Sequence, residues 1–336
     1  AKTGHAFGIC MVSFGALRLR LRRRLPWALG PKTMLHNASK LHRNSYEDLL
    51  AEAEQASEWL TRLGVRVNAT RLALQIRSIR KWVSHLDISQ PTPNDYWTHL
   101  WQLAEIDDVI QISRNLRDIR DTRFLSTLKK ITSGPTLLSN EGNQGGSIQG
   151  RNASFELFTA ARFARAGLSV SFDSDADATV SIENARIAVE CKRVTSADAL
   201  DDRIREAHAQ IKKRIQAGHA NCGIIATSIS KLVLQVSQER PQGYAGNLEQ
   251  LANDAKLMLE RFGPVVQEIH GGLAPEAIAL VLHYKLPFID STTGSPTMLS
   301  RFAHYPLSFG ENERLDNLNE VLRKALTLSV HRAKNE

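Results

Sequence analysis

Hydrophobic residues recur every three to four positions over residues 45–131, and this periodicity predicts α-helices. Ser45 is a favourable cap for the first helix and Gly64 a favourable stop. Three further helices are predicted at Ala69–Leu86, Asn94–Leu103 and Asp107–Ile131. Four amphipathic helices joined by short connections predict an all-helical domain at 45–132.

The pattern changes after a Gly- and Ser-rich stretch at 133–150, which predicts a flexible linker. The next segment predicts a helix at Asn152–Ala166, in which Asn152 is the cap, followed by a short strand at 168–172. The elements predicted beyond it are a hairpin at 177–192, a helix at 197–217 and a buried strand at 222–227. The resulting order is helix, strand, strand, strand, helix, strand. Helices near 247–262 and 312–330 and a strand at 277–286 are expected to extend the sheet and cover one of its faces.

The hairpin carries the candidate chemistry. A two-residue loop at Glu183-Asn184 pairs Ile182 with Ala185 and, continued outward, places Asp177 opposite Glu190. Side chains alternate along a strand, so Glu190 shares one face with Lys192. That face is polar, whereas the opposite face is apolar throughout. Two opposed carboxylates with a neighbouring ammonium are therefore predicted on one face of the hairpin.

Two carboxylates this close repel each other unless a cation lies between them, and Mg²⁺ prefers oxygen ligands of this kind. Lys192 could then activate water or stabilise charge on a phosphate. The alternative is an ordinary solvated strand face with an incidental ion pair. Glu156, in the first turns of the preceding helix, is either a partner of the helix dipole or a further ligand of metal or water.

The order of elements and these residues together resemble the PD-(D/E)xK nuclease superfamily, which has the restriction-endonuclease-like fold. Asp177 matches the aspartate of the motif, and Glu190-Cys191-Lys192 matches its ExK. Glu156 matches an acidic residue on the first helix, and Gln210 matches a polar position that supports the site. The proline that usually precedes the aspartate is replaced by Ala176. The resemblance covers about 80 residues, from 150 to 230.

The resemblance implies an α/β fold with a restriction-endonuclease-like αβββαβ core, a mixed sheet flanked by helices, here preceded by the all-helical domain. The nuclease-like domain with its C-terminal extension would occupy 151–336. The implied activity is metal-dependent hydrolysis of phosphodiester bonds, most often in DNA, with Mg²⁺ or Mn²⁺ bound by Asp177 and Glu190. Glu156 and Lys192 would complete the catalytic set, and Gln210 would support it.

Two alternatives remain open at the level of sequence. One is a non-catalytic module on the same fold that binds nucleic acid or another partner, and the other is an unrelated α/β protein whose hairpin mimics the motif. The choice between DNA and RNA, and between endonuclease and exonuclease action, is not fixed by these residues. The oligomeric state is also open, with a homodimer as one option.

The net charge of +8 first indicates nucleic-acid binding, but its distribution changes this interpretation. Residues 1–44 contain nine Lys and Arg and no acidic residue, so subtracting nine from +8 leaves −1 for residues 45–336. A nucleic-acid surface must then come from local charge asymmetry. The basic extension at 1–44 is expected to be disordered or non-native, and the first 33 residues could be upstream translated sequence, a basic arm or a transit peptide.

The remaining composition is that of a globular protein, with 42% hydrophobic residues. No apolar stretch approaches the roughly 18 residues of a membrane span, so no membrane association is predicted. The three cysteines have neither metal-ligand nor disulfide spacing, and we expect Cys191 and Cys222 to be core thiols in a reducing compartment, the cytoplasm.

Overall fold

The computed structural model describes residues 40–43, 45–84, 93–141, 147–232, 273, 276–289, 296–307 and 313–327. Its helices are α1 (Tyr46–Arg62), α2 (Arg71–Ser84), α3 (Pro93–Asn115), α4 (Thr122–Lys130), α5 (Gln149–Arg165), α6 (Leu200–Gln216) and α7 (Glu313–Thr327). Its strands are β1 (Lys40–Arg43), β2 (Ser169–Ser171), β3 (Ala178–Ile182), β4 (Ala185–Arg193), β5 (Cys222–Ser228), β6 (Ala277–Ile289) and β7 (Pro296–Pro306).

The seven strands form one sheet in the order β1-β7-β6-β5-β4-β3-β2. The central pairs β4–β5 and β5–β6 are parallel, and the outer pairs are antiparallel, so the sheet is mixed. The predicted α/β class is confirmed, and so is the order helix, strand, strand, strand, helix, strand from α5 to β5. β6 extends the sheet beyond β5, as expected.

The first predicted helix has the boundaries and caps that its sequence indicates. The Ser45 hydroxyl accepts a hydrogen bond from the Asp48 amide at 3.0 Å, and Gly64 takes a positive φ of 76° after the last turn. The prediction of two helices at 94–103 and 107–131 is wrong, because α3 runs unbroken to Asn115 and the interruption falls between α3 and α4. The predicted helix at 247–262 lies outside the described residues.

Helices from the segment at 45–132 and strands of the sheet share one hydrophobic core. It contains Leu60 of α1 and Ile110 of α3 together with Val189 of β4 and Leu282 of β6. The proposed division into a helical domain and an α/β domain therefore stays a prediction, with both parts contributing to this core.

Helix α5 begins three residues earlier than the sequence indicates, and Asn152 is not its cap. Its first turn lies so close to the end of α4 that a Cβ on Gly150 would be 2.1 Å from the Ser133 carbonyl oxygen, so only glycine fits there. The Asn152 side chain instead accepts a hydrogen bond from Arg193 at 3.4 Å. The predicted stop is confirmed, since Gly167 has φ 82° and donates to the Ala164 carbonyl.

Helix α6 packs tightly over strands β4 and β5. A Cβ on Gly223 of β5 would lie 2.5 Å from the Ile211 side chain of α6. Lys192 of β4 contacts α6, whereas its neighbour Arg193 contacts Asn152 of α5. Because successive side chains of a strand point to opposite faces, α5 and α6 cover opposite faces of the sheet at β4. No helix among the described residues has the length and apolar character needed to cross a bilayer.

Candidate active site

The hairpin formed by β3 and β4 has the register that the sequence predicts. Ile182 pairs with Ala185 across the two-residue loop, and the ladder continues to Ala178 opposite Val189. Asp177 directly precedes β3, and the same register continued one position outward places it opposite Glu190. Glu183 takes the positive φ of 51° that closes such a tight loop. The interpretation of this polar face as solvated is wrong, because α6 covers it and Glu190 has only 2% of its side chain exposed.

Asp177 is held at the entrance to β3 by the backbone of β4. Its Oδ2 atom accepts a hydrogen bond from the Cys191 amide at 2.7 Å. The preceding loop is fixed by two arginines, since Arg123 and Arg214 each donate to the Asp175 carbonyl, at 2.6 and 2.8 Å. This anchoring orients the Asp177 carboxylate towards the β4 strand.

Glu190 is buried without a matched hydrogen-bond donor. Its Oε1 atom lies 3.4 Å from Nε of Arg214, and among the described residues neither of these two atoms has a hydrogen-bond partner. Burial, and next the charge of Asp177, raise the pKa of Glu190 to about 8, although Arg214 and Lys192 act in the opposite direction. The surroundings of Glu190 therefore disfavour its ionised form.

One face of α6 supplies the neighbours of Glu190 and Lys192. Glu206, Gln210 and Arg214 are spaced four residues apart, which places them on one side of the helix. Nζ of Lys192 donates to Glu206 at 3.0 Å, while Arg214 faces Glu190. Gln210 lies between these two contacts, and its Oε1 atom is buried with no hydrogen-bond partner among the described residues. Gln210 is therefore on the same side of α6 as the residues that contact Glu190 and Lys192, with an unused acceptor.

Glu156 is the eighth residue of α5, because the helix begins at Gln149. The alternative that it balances the helix dipole is wrong, since that field acts on the first turn. Burial, and next the charge of Asp177, raise the pKa of Glu156 to about 7, against the opposing charges of Lys130 and Arg123. Its carboxyl thus belongs to the same electrostatic cluster as Asp177.

The Asp177 carboxylate connects the groups on the two faces of the sheet. Its charge raises the pKa of Glu156 on α5 and of Glu190 on β4. Burial also raises the pKa of Asp177 itself, opposed by its hydrogen bond from the Cys191 amide and by the charge of Lys192. Three carboxyl groups are thus held near one another in a setting that disfavours their ionisation, which is typical of functional sites.

The chemistry of the acidic pair suits a hard divalent cation. No group of three or more His, Cys, Asp or Glu side chains in the described part of the chain is arranged as a metal site. Mg²⁺ does not need such a group, because it keeps several waters and is bound through one or two carboxylates. Asp177 and Glu190 provide two, and Glu190 carries a buried oxygen that lacks a hydrogen-bond donor among the described residues. The donor set therefore fits the ion.

Four contributors were not predicted from the sequence: Arg123, Lys130, Glu206 and Arg214. The four-residue spacing from Gln210 could have indicated Glu206 and Arg214, which lie one turn before and after it on α6. Arg123 and Lys130 belong to α4 and approach the site through tertiary packing. No local pattern marks these two residues.

Comparison of the chain with protein-family models, with curated proteins and with solved structures found no match in any of the three.

Proposed function

We propose that this chain is a metal-dependent nuclease that hydrolyses phosphodiester bonds, with DNA as its substrate and Mg²⁺ as its cofactor. The fold we propose for residues 149–228 is a restriction-endonuclease-like core. The observation that carries the proposal is the cluster of Asp177, Glu190 and Glu156, three carboxyl groups with raised pKa values, beside the amine of Lys192.

Binding of a divalent cation would give these crowded carboxyl groups a role. Asp177 and Glu190 would hold the divalent cation, which supplies a Lewis acid and lowers the pKa of water when it is bound. The cation would also neutralise the mutual repulsion of the two carboxylates.

The remaining residues of the cluster have separate tasks. Lys192 would place its positive charge against the scissile phosphate or the attacking water. Its side chain is 13% exposed, and the carboxylate it would have to release, that of Glu206, is 44% exposed. Glu156, with its pKa of about 7, would accept or donate a proton near neutral pH. Gln210 would orient a water molecule, which donates a hydrogen bond to its unused amide oxygen.

Cleavage of plasmid and linear DNA, and of RNA in a parallel assay, tests the proposal with Mg²⁺ or Mn²⁺ present and with EDTA as the blank. Glu190→Gln and Lys192→Met should each lower the cleavage rate about 100-fold or more. Glu190→Gln should also weaken Mg²⁺ binding measured by calorimetry, whereas Lys192→Met should leave it close to wild type.

Two matched controls lie on the same elements. Glu183→Gln alters an exposed acid of the same hairpin, and Lys212→Met alters an exposed lysine of α6, so both should cleave like wild type. Absence of cleavage on DNA and RNA, with binding retained, would favour a non-catalytic nucleic-acid-binding module. Variants at Glu190 and Lys192 that cut as well as wild type would remove the catalytic assignment.

A further inference from the structure

A second polar feature lies apart from the acidic cluster, in a cavity of about 50 Å³ between α2, α3, α5 and the strands β4 to β6. The charged residues of its lining are four cationic ones, Arg71, Arg151, Arg193 and Lys285, and two acidic ones, Glu105 and Asp108. Cations are rarely buried together without compensation. The balance of positive and negative charge around the cavity therefore decides whether it favours a cation or an anion.

One wall of the cavity has more positive than negative charge. Arg71 and Arg151 are 6% and 5% exposed, and both bind the same carboxylate, that of Glu105, at 2.7 and 2.6 Å. Arg193 has its own partner, because its Nη2 donates to Glu141 Oε2 at 3.0 Å. Three guanidinium groups thus share two carboxylates, which leaves this wall with a net charge of +1.

A second group of charged side chains at the cavity offsets that charge. Lys285 binds both Asp107, at 2.7 Å, and Asp108, so this group has a net charge of −1. Burial lowers the pKa of Arg71; the charge of Glu105 opposes this, and the nearby charges of Arg151 and Arg193 add to the lowering. The arginine wall is therefore the place where added negative charge is favourable.

The arginine wall also has hydrogen-bond donors that remain unused. Nε of Arg71 and Nη1 of Arg151 are buried, and neither has a hydrogen-bond partner in the described part of the chain. Ser154, Ser228 and Ser230 line the same cavity; the Ser228 and Ser230 hydroxyls lie 3.2 Å apart, and Ser230 also accepts a hydrogen bond from the Lys285 amide. Leaving a buried charged donor unpaired is unfavourable, so an occupant that accepts these hydrogen bonds is stabilised.

We propose that this cavity binds one tetrahedral oxyanion, inorganic phosphate or sulfate, through the guanidinium groups of Arg71 and Arg151 and the surrounding hydroxyl groups. A water molecule needs roughly 10–15 Å³ of such space, so the volume matches a small group of waters or one ion of about five heavy atoms. The site goes beyond the proposed phosphodiester hydrolysis and does not rest on it.

Titration of the full chain with sodium phosphate, sodium sulfate and sodium chloride at equal ionic strength tests the proposal through the unfolding temperature. Phosphate and sulfate should raise it by several degrees in a saturable way, and chloride should not. Adenosine monophosphate distinguishes the source of the phosphate group. If the ester leaves the unfolding temperature unchanged, the ligand is the free ion. If the ester raises the unfolding temperature and the variants below abolish that rise, the site binds a phosphate ester.

Two matched variants locate the binding. Ser154→Val fills part of the cavity without changing its charge, and Ser113→Val makes the same change at a buried serine of α3 outside the cavity lining. Calorimetry should show phosphate affinity reduced about tenfold or more in Ser154→Val, the effect of one lost hydrogen bond to a charged group, and unchanged in Ser113→Val.

If Ser154→Val does not fold, Ser154→Ala removes the same lining hydroxyl without adding volume and should still weaken phosphate binding severalfold. Equal shifts with phosphate and chloride in wild type would mean that the cavity holds only water, and the proposal would be wrong. Wild-type affinity in the cavity variants would overturn it as well.

Discussion

Two buried glutamates of this protein have opposite surroundings. Glu105 of α3 is shared by Arg71 and Arg151 and also accepts a hydrogen bond from Gln75 at 2.5 Å. Burial acts to raise the pKa of Glu105, yet these partners hold it below the ordinary value. Among the described residues Glu190 of β4 has one ion pair, with Arg214 at 3.4 Å, and its pKa rises to about 8.

The difference in partners is the one expected between a structural carboxylate, Glu105, and a candidate ligand, Glu190. A buried carboxylate is tolerated when charged hydrogen-bond donors replace its water shell, as they do at Glu105. At Glu190 the ion pair with Arg214 is long, at 3.4 Å, and the charge of a second carboxyl group, that of Asp177, acts against ionisation. An arrangement that disfavours its own ionisation is typical of functional sites, where an added ion or substrate can complete it. This reasoning supports the proposed cation site.

The largest effect is expected at the compensated glutamate. Glu105→Ala leaves two buried guanidinium groups without their shared carboxylate, so the free energy of unfolding should fall by about 3–5 kcal/mol. Urea denaturation measures this loss. Glu54→Ala is the control, because its ion pair with Arg80 is exposed and should contribute less than about 1 kcal/mol. Similar losses in the two variants would contradict the structural role of Glu105.

A smaller effect of opposite sign is expected at Glu190. Its pKa in the folded, metal-free protein is about 8, above its ordinary value of 4.5. The folded state therefore binds the proton more tightly than the unfolded state, and stability falls as the pH rises from about 4.5 to about 8. Glu190→Gln removes this titration and should stabilise the metal-free protein at pH 8.5 by on the order of 1–3 kcal/mol.

Unfolding temperatures in EDTA, compared between pH 5 and pH 8.5, measure this prediction. The Glu190→Gln variant should lose less stability than wild type over that range. Glu183→Gln, which alters an exposed acid of the same hairpin, should follow the wild-type curve. A Glu190→Gln variant that is less stable than wild type at pH 8.5 would show that the glutamate is compensated after all, and the contrast with Glu105 would fail.

The parts of the fold that follow from local sequence were predictable. The hairpin register depends on a two-residue loop and on alternation between strands a few residues apart, and it agrees pair by pair from Ala178 to Val189. The order of elements from α5 to β5 depends on helical and strand periodicity, which is also local. These features required no knowledge of distant contacts.

The features that were missed depend on tertiary packing. β7 begins and ends with proline and contains Arg301 and His304, so it has no clean alternation, and it forms through antiparallel pairing with β6. The start of α5 depends on the close approach of Gly150 to the end of α4. At the site, the pattern indicated the acidic pair, but Arg123 reaches the Asp175 carbonyl from 52 residues away along the chain.

The smallest effect on the free energy of unfolding is expected for the ion pair of Lys192 in the candidate site. Lys192 binds Glu206 at 3.0 Å, but 44% of the Glu206 side chain is exposed and Arg203 binds the same carboxylate. Solvent screens such a pair, so Glu206→Gln should change the free energy of unfolding by less than about 1 kcal/mol. Urea denaturation beside the Glu105→Ala variant measures the difference. A loss as large as that of Glu105→Ala would show that Lys192 is fixed by its partner as firmly as the two arginines are, and Lys192 would then not be free to turn towards a phosphate.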